Sequence, residues 1–133
     1  MEGDDTEEEL KVIAETRRVL GTPSLRMSVT TVRVPVAVGH SAAVWVELEG
    51  PARVDGIRSL LASAPGIVVV DDPKAQRYPT PRSVAGTDDV QVGRIRRDAG
   101  TEHGIALFFS ADNLRKGAAT NAVQVAELVM GGR

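Results

Sequence analysis

The valine-rich run over residues 28–40 constrains the fold of this chain more than any other stretch. It reads Ser-Val-Thr-Thr-Val-Arg-Val-Pro-Val-Ala-Val-Gly-His, which is the composition of a β-strand. Because side chains alternate along a strand, we expect Arg33 to point away from the face that its flanking valines share. Pro35 cannot donate to a ladder, so the strand should be an edge strand or be bulged there. Gly39 should let the backbone turn and bring His40 to the rim.

Arg33 and His40 are the first candidate functional residues, and we expect the two side chains to face one small cavity. A guanidinium among valines should require an anion, from the protein or from a ligand, because an unpaired buried charge is costly. Histidine is the side chain best suited to moving protons near neutral pH. Judged from the residues alone, the commoner roles are a structural ion pair for Arg33 and a loop position for His40.

Further motifs give the run a wider meaning. The segment Arg-Val-Pro-Val-x-x-Gly-His-Ser resembles the signature in the C-terminal domain of bacterial aspartate-semialdehyde dehydrogenases. Other matching segments follow the family order: Glu-Glu-Leu-Lys near the start, then Tyr-Pro-Thr-Pro, Val-Gly-Arg-Ile-Arg, and Asp-Asn-Leu-Arg-Lys-Gly-Ala-Ala-Thr-Asn-Ala-Val-Gln near the end. The resemblance extends over residues 6–130. Several separate motifs in the right order are more specific than any one of them.

The resemblance and the patterning together predict an α+β domain. We expect a mostly antiparallel mixed sheet with helices on one face, and a dimer interface on the other face, as in semialdehyde dehydrogenase dimerisation domains. Residues 1–5 should be a disordered tail. Residues 6–133 should form the C-terminal dimerisation and substrate-binding domain. The family's N-terminal dinucleotide-binding domain is expected to be absent, so the chain resembles a truncation, a split gene product or an isolated domain.

The resemblance implies a role for five residues. His40 would be the catalytic acid/base, and Arg33 would bind the α-carboxylate of the substrate. Glu8 would bind the substrate's amino group and Lys11 its phosphate, although three-residue spacing on a helix is by itself typical of a surface ion pair. Asn113 would hydrogen-bond the nicotinamide carboxamide of the cofactor. No metal ligands are expected.

The implied reaction converts L-4-aspartyl phosphate and NADPH into L-aspartate 4-semialdehyde, phosphate and NADP+. This step belongs to the biosynthesis of lysine through diaminopimelate, of threonine and of methionine. The family uses a cysteine nucleophile, and the 133 residues contain no cysteine. We therefore expect this chain to be inactive alone. NADP would be bound mainly by the N-terminal dinucleotide-binding half, which is one expected partner, and a second copy of the chain in a homodimer is the other.

Two alternatives stay open at this stage. The chain could be a non-catalytic dimerisation module that keeps the family's residues as a relic. It could also serve a different semialdehyde or acyl-phosphate reductase of the same superfamily. A net charge of -2 argues against nucleic-acid binding. The sequence contains no apolar run near the length of a membrane span and no signal-peptide pattern, so we expect a cytoplasmic location.

Periodicity and turn residues predict the remaining elements. A capping-box spacing between Thr6 and Glu9 indicates a helix that ends at Gly21. Residues 28–40 and 43–49 should form an antiparallel hairpin, with Trp45 as an anchor either in the core or at an interface. His103 should be a plain surface residue. The other predicted elements are strands over residues 67–70, 90–96 and 105–110, a helix over 54–61, an ordered loop over 71–84, and a last helix capped by Asp112. Gly93 suggests a bulge in the strand over residues 90–96.

Overall fold

The computed structural model describes residues 4–51 and 53–131, and it divides the chain into two compact units, Met1–Pro35 and Val36–Arg133. The first unit contains helix α1, Glu7–Val19. Its predicted capping box is confirmed, because Thr6 Oγ1 accepts the Glu9 N–H and Glu9 Oε2 accepts the Thr6 N–H at 2.8 Å. The predicted stop is also confirmed: the cap residue is Leu20, and Gly21 has a φ of 62°.

The strand predicted over residues 28–40 is wrong for all but its last residue. Residues 28–39 belong to no strand, and the ladder begins only at His40. Pro35 cannot donate a ladder hydrogen bond, and Gly39 has a φ of 105°, which is incompatible with a regular strand. Val32, Val34 and Val36 of this run are exposed.

The second unit is built on a four-stranded sheet of β1 (His40–Glu47), β2 (Ile67–Val69), β3 (Val90–Arg97) and β4 (Gly104–Ala111). The strand order is β1-β4-β3-β2. β1 pairs with β4 and β4 with β3 in antiparallel fashion, while β2 and β3 are parallel. The predicted mostly antiparallel mixed sheet is confirmed. The predicted hairpin is wrong, since the neighbour of β1 is the distant strand β4.

Helix α2, Val54–Ser63, covers one face of this sheet. Ile57 and Leu61 of α2 pack against the buried side chains of Val92, Ile95 and Ile105. Burial of these branched side chains is the main driving force for the layer, at about 1.5–3 kcal/mol for each fully buried side chain. The register of β3 shifts between Gly93 and Arg96, which confirms the bulge expected at Gly93.

The opposite face of the sheet, which we call the open face, carries a row of side chains across three strands. Ala106 of β4 pairs with Trp45 of β1 on one side and with Arg96 of β3 on the other. Ala106 is buried, whereas Trp45 is 60% exposed. Paired residues of neighbouring strands point to the same face, so this row is a surface of the sheet that α2 does not cover.

The segment between β2 and β3 covers another part of the same face. A Cβ on Gly93 would collide with the carbonyl oxygen of Val70 and would lie 2.6 Å from Cδ of Pro79. Thr80 then caps a short helix, α3, Pro81–Val84. The predicted ordered loop is therefore interrupted by one helical turn.

The chain after β4 forms a helix in two parts. A π-helical turn, Arg115–Ala119, leads into helix α4, Thr120–Gly131. Asp112 accepts the N–H groups of Leu114 and Arg115, which confirms its predicted capping role. In the residues that the structure describes, no helix has both the length and the apolar character that a bilayer span requires.

Candidate functional site

Glu8 and Lys11 lie together on the surface of α1. Their side chains approach to 3.9 Å, and both are more than half exposed. An exposed pair of this kind adds little to stability, so its two charges stay available to a ligand. The sequence prediction that these residues share one face of the helix is confirmed, while their ligand roles stay predictions.

Glu9 lies next to Glu8, and the sequence predicted only a capping role for it. It is buried, and its second oxygen, Oε1, accepts the backbone N–H of Thr31 at 2.8 Å. Hydrogen bonds from the Thr6 backbone and then the Thr31 backbone hold the pKa of Glu9 below its usual range. The carboxylate therefore ties α1 to the segment that presents Arg33, two residues beyond Thr31.

Arg33 is exposed, in contrast to the buried strand position expected for it. Among the residues that the structure describes, its guanidinium has no ion-pair or hydrogen-bond partner. Because Arg33 is exposed, it does not need an anion from the protein in the way that a buried charge would. An exposed guanidinium with unused donors can still bind a carboxylate through two parallel hydrogen bonds.

His40 is exposed at the first position of β1, where it pairs with Ala111 of β4. The residue before it, Gly39, is buried, and its backbone N–H donates to Asn113 Oδ1 at 2.7 Å. The residue after it, Ser41, shares a hydrogen bond of 2.6 Å with the buried Ser110 hydroxyl. His40 thus stands between two anchored neighbours, and its imidazole is free to meet a ligand.

Asp112 holds the turn on which Asn113 lies. The residue is 3% exposed, and its carboxylate accepts three backbone N–H groups, from Gly86 at 2.7 Å, Leu114 at 2.8 Å and Arg115 at 3.2 Å. These hydrogen bonds, led by the one from Gly86, keep the pKa of Asp112 below its ordinary value. The carboxylate therefore holds the backbone of the turn that carries Asn113.

His103 differs from the plain surface residue that was expected. It is half-buried, and its Nδ1 is shielded from solvent without a hydrogen-bond partner in the part of the chain that the structure describes. Its carbonyl oxygen accepts the Leu48 N–H. The side chain therefore belongs to the packing at the end of β1 and β4.

The predicted meeting of Arg33 and His40 in one cavity stays a prediction, since the two residues belong to different compact units. The earlier idea that one β segment carries both is wrong. Within residues 4–51 and 53–131, no group of three or more His, Asp or Glu side chains is arranged to bind a metal ion.

Sequence reasoning missed Glu9, Asp112 and Ser110 as parts of the site's support. Asp112 and Glu9 carried a local signal, because each follows a helix-capping pattern. Their second bonds, to Gly86 and to Thr31, join residues 26 and 22 positions apart, and no local pattern predicts such pairs.

The fold and these motifs together match one protein family. The family model described as "Semialdehyde dehydrogenase, dimerisation domain" matches residues 1–116. The chain belongs to this family.

Its relatives are longer proteins. The chain is 50% identical over 125 residues to the aspartate-semialdehyde dehydrogenase of Legionella pneumophila, covering 93% of this chain and 36% of that protein. It is 45% identical over 125 residues to the enzyme of the same name from Aquifex aeolicus, covering 94% of this chain and 37% of that protein. The chain thus spans little more than a third of the length of these relatives.

A solved structure shows the same fold. The aspartate semialdehyde dehydrogenase II of Vibrio cholerae, in complex with ASA, matches with a TM-score of 0.92 and 42% identity, over 98% of this chain and 38% of that one. A probable aspartate-semialdehyde dehydrogenase from Pseudomonas aeruginosa matches with a TM-score of 0.84 and 31% identity, over 94% and 37% of the two chains.

Proposed function

We propose that this chain is the C-terminal substrate-binding and dimerisation part of an aspartate-semialdehyde dehydrogenase. The enzyme would reduce L-4-aspartyl phosphate to L-aspartate 4-semialdehyde with NADPH. The observation that carries the proposal is the match, at a TM-score of 0.92 over 98% of the chain, to the Vibrio cholerae protein in complex with ASA. The reaction would serve lysine, threonine and methionine biosynthesis in the cytoplasm.

The substrate is an amino acid with an acyl phosphate, and the proposed binding residues match its charges. Arg33 would bind the α-carboxylate through its guanidinium fork. Glu8 would bind the ammonium group, and Lys11 the phosphate. The exposure of these charged side chains supports the proposal, because neither Arg33 nor the Glu8–Lys11 pair is taken up by a buried contact among the described residues.

His40 would act as the acid/base group. It would accept a proton from the thiol that attacks the acyl-phosphate carbon and displaces phosphate, and it would need to lie within hydrogen-bond reach of that sulfur. The chain itself contains no cysteine, so the thiol would come from an N-terminal dinucleotide-binding part. We therefore propose that the chain alone does not turn over, since an acid/base residue without its nucleophile supplies only part of the rate enhancement.

Asn113 is the residue of this chain that would hold NADP, whose nicotinamide ring supplies the site of hydride transfer. Asn113 is half-buried, and its Oδ1 already accepts the Gly39 N–H. Its Nδ2 makes no hydrogen bond to the residues that the structure describes, so an amide donor is available for a carboxamide oxygen. The side chain therefore fits this role, and the rest of the cofactor would be bound by the dinucleotide-binding part.

A homodimer through the open face completes the proposal. The family model is that of a dimerisation domain, and the row that contains Trp45 and Arg96 offers an exposed aromatic anchor and a cation. Trp45→Lys should convert a dimer into a monomer in sedimentation equilibrium. Leu60→Lys, at an exposed apolar position of α2, is the matched control and should leave the dimer intact.

The apolar side of α4 is proposed to pack against the dinucleotide-binding part. Its large apolar side chains are all more than half exposed, and an exposed apolar patch of this kind is typical of an interaction surface. They are Val123, Val125, Leu128, Val129 and Met130.

The activity is tested by mixing the chain with the N-terminal part of the Vibrio cholerae relative. NADPH oxidation that depends on aspartyl phosphate should be absent with the chain alone and present with the mixture. His40→Asn should lower kcat of the mixture by about a hundredfold or more. His103→Asn is the matched control and should leave kcat unchanged.

Each other outcome has a defined meaning. Turnover by the chain alone would refute its proposed dependence on the dinucleotide-binding part. A mixture that forms a stable complex without turnover would favour the alternative of a non-catalytic dimerisation module. Full activity of the His40→Asn mixture would remove His40 from the proposed chemistry.

A further inference from the structure

The backbone of Gly39 is held by a side chain from the far end of the chain. Its N–H donates to Asn113 Oδ1 at 2.7 Å across 74 positions of sequence. The β1–β4 ladder begins one residue later, with the pair His40 and Ala111. The amide oxygen of Asn113 thus extends the ladder by one hydrogen bond, at the residue that sets the direction of His40.

Gly39 is a position where such a bond has a large effect. Its φ of 105° lies in a region of backbone conformation that residues with a side chain rarely adopt. Glycine is the residue with the most backbone freedom. A Cβ at this position would lie 3.0 Å from the Cα and Cβ of Pro81. Pro81 therefore blocks one side of Gly39, and the Asn113 hydrogen bond fixes its N–H.

Asn113 is itself held in place. The neighbouring Asp112 is almost fully buried and accepts N–H groups from Gly86 and from the following turn. Beyond His40, Ser41 is joined to the buried Ser110 by a hydrogen bond of 2.6 Å. The residues on both sides of His40 are therefore anchored, Gly39 through its N–H to the turn after β4 and Ser41 through its hydroxyl to β4.

The oxygen and the nitrogen of the Asn113 amide therefore have different hydrogen-bonding roles. Oδ1 accepts the Gly39 N–H, and Nδ2 is left as a donor. We propose that Asn113 is a positioning residue for the acid/base histidine, acting on His40 through Gly39. This inference rests on the function proposed above, in which Nδ2 donates to the nicotinamide carboxamide. One side chain would thus orient both the histidine and the cofactor.

The first test uses the chain alone. Asn113→Asp keeps an acceptor oxygen of the same shape and removes the Nδ2 donor, whereas Asn113→Ala removes both. Hydrogen exchange of the Gly39 amide should be roughly tenfold faster in Asn113→Ala and within about twofold of the wild type in Asn113→Asp. Asn121→Ala, at an exposed position of α4, is the matched control and should change nothing.

A second measurement on the chain alone uses NMR scalar couplings. In the wild-type chain, a scalar coupling across the hydrogen bond should join the Gly39 amide nitrogen to the Asn113 side-chain carbonyl carbon. The three-bond couplings of His40 should report one χ1 rotamer in the wild type and in Asn113→Asp, and an average over rotamers in Asn113→Ala. Absence of the coupling in the wild type, or a His40 rotamer that is the same in all three proteins, would overturn the inference.

The assembled enzyme separates positioning from cofactor binding. Asn113→Asp and Asn113→Ala both remove the Nδ2 donor, so both should raise the KM for NADPH. Asn113→Ala also loses the hydrogen bond to Gly39, so its kcat should be about tenfold below that of Asn113→Asp, which corresponds to the loss of one oriented hydrogen bond. Equal kcat values for the two variants would contradict the positioning role. An inactive wild-type assembly would instead refute the proposed function, and the measurements on the chain alone would still decide the role of Asn113.

Discussion

Glu9 Oε1 accepts the backbone N–H of Thr31 at 2.8 Å, and this bond joins helix α1 to the segment that presents Arg33. The other oxygen of Glu9 closes the capping box with Thr6. A single buried carboxylate therefore both starts the helix and orders a segment that has no ladder partner. The proposed ligand residues Glu8 and Lys11 flank it on the same helix, so the first unit is organised around Glu9.

Replacing Glu9 should release the Thr31 segment. In Glu9→Ala, the Thr31 amide should exchange with solvent roughly tenfold faster, because the hydrogen bond to a charged acceptor is lost. Glu9→Gln keeps a neutral acceptor and should show a smaller change. Glu15→Ala, an exposed position on the same helix, is the control. Unchanged Thr31 exchange in Glu9→Ala would show that other contacts order the segment.

Asp88 should make the stability of the fold depend on pH in the acid range. The hydrogen bond with Arg115, and then that with Thr120, lowers the pKa of Asp88 from 3.8 to about 2. A carboxyl whose pKa is lower in the folded state stabilises the fold above its unfolded pKa. That contribution should be fully present above pH 4 and be lost as the pH falls from about 4 through about 2.

The measurement is the titration of the Asp88 carboxyl carbon by NMR. In Arg115→Gln, the pKa of Asp88 should rise toward its ordinary value of 3.8, because the cation and its two hydrogen bonds at 2.8 Å are gone. Arg82→Gln, on α3, should leave the titration unchanged. The same low pKa in Arg115→Gln would contradict the assigned cause.

Asp71 should be the most important acidic residue for the bulge in β3. Its side chain is 2% exposed, pairs with Arg58 at 2.8 Å, and accepts the N–H groups of Arg94 and Ile95. Asp71→Ala should lower the free energy of unfolding by about 3 kcal/mol, since it breaks a largely buried pair and leaves two bulge donors unsatisfied.

Asp55→Ala is the matched control for that change. Asp55 pairs with the same Arg58, but its side chain is 80% exposed, so its removal should cost no more than about 1 kcal/mol. The free energies of unfolding of both variants are to be measured by chemical denaturation. Equal losses for the two variants would show that burial of Asp71 adds nothing to the pair.

Gly93→Ala should disrupt the sheet. The added Cβ would collide with the Val70 carbonyl oxygen and lie 2.6 Å from Pro79, so β2 or the following loop would have to move. Gly56→Ala, in α2, has open space around the new methyl group and should stabilise the chain by about 0.5–1 kcal/mol. Thermal unfolding of both variants tests the pair, and a tolerated Gly93→Ala would contradict the close approach.

Several local features follow from the sequence because neighbouring residues cause them. The Thr6–Glu9 capping box, the end of α1 at Gly21 and the bulge after Gly93 were all predicted, and each depends on residues within a few positions. The fold class followed from patterning and from motifs in a family order. The resemblance also supplied the candidate roles of Glu8, Lys11, Arg33, His40 and Asn113, which stay predictions.

The errors have a common physical cause. Residues 28–39 have the composition of a strand but no partner strand, because Pro35 and the positive φ of Gly39 interrupt the ladder before His40. The hairpin prediction failed because β1 pairs with β4, and strand pairing depends on the packing of the whole sheet.

The sequence by itself determined the two ends of α1, the bulge in β3 and the residues that resemble a family site. Tertiary structure alone decided which distant groups meet: Glu9 with Thr31, Asp112 with Gly86, and Asn113 with Gly39. Capping and turn preferences act over a few residues and can be read locally. A hydrogen bond across 74 positions forms only after the sheet has brought the two segments together, so only the folded chain shows it.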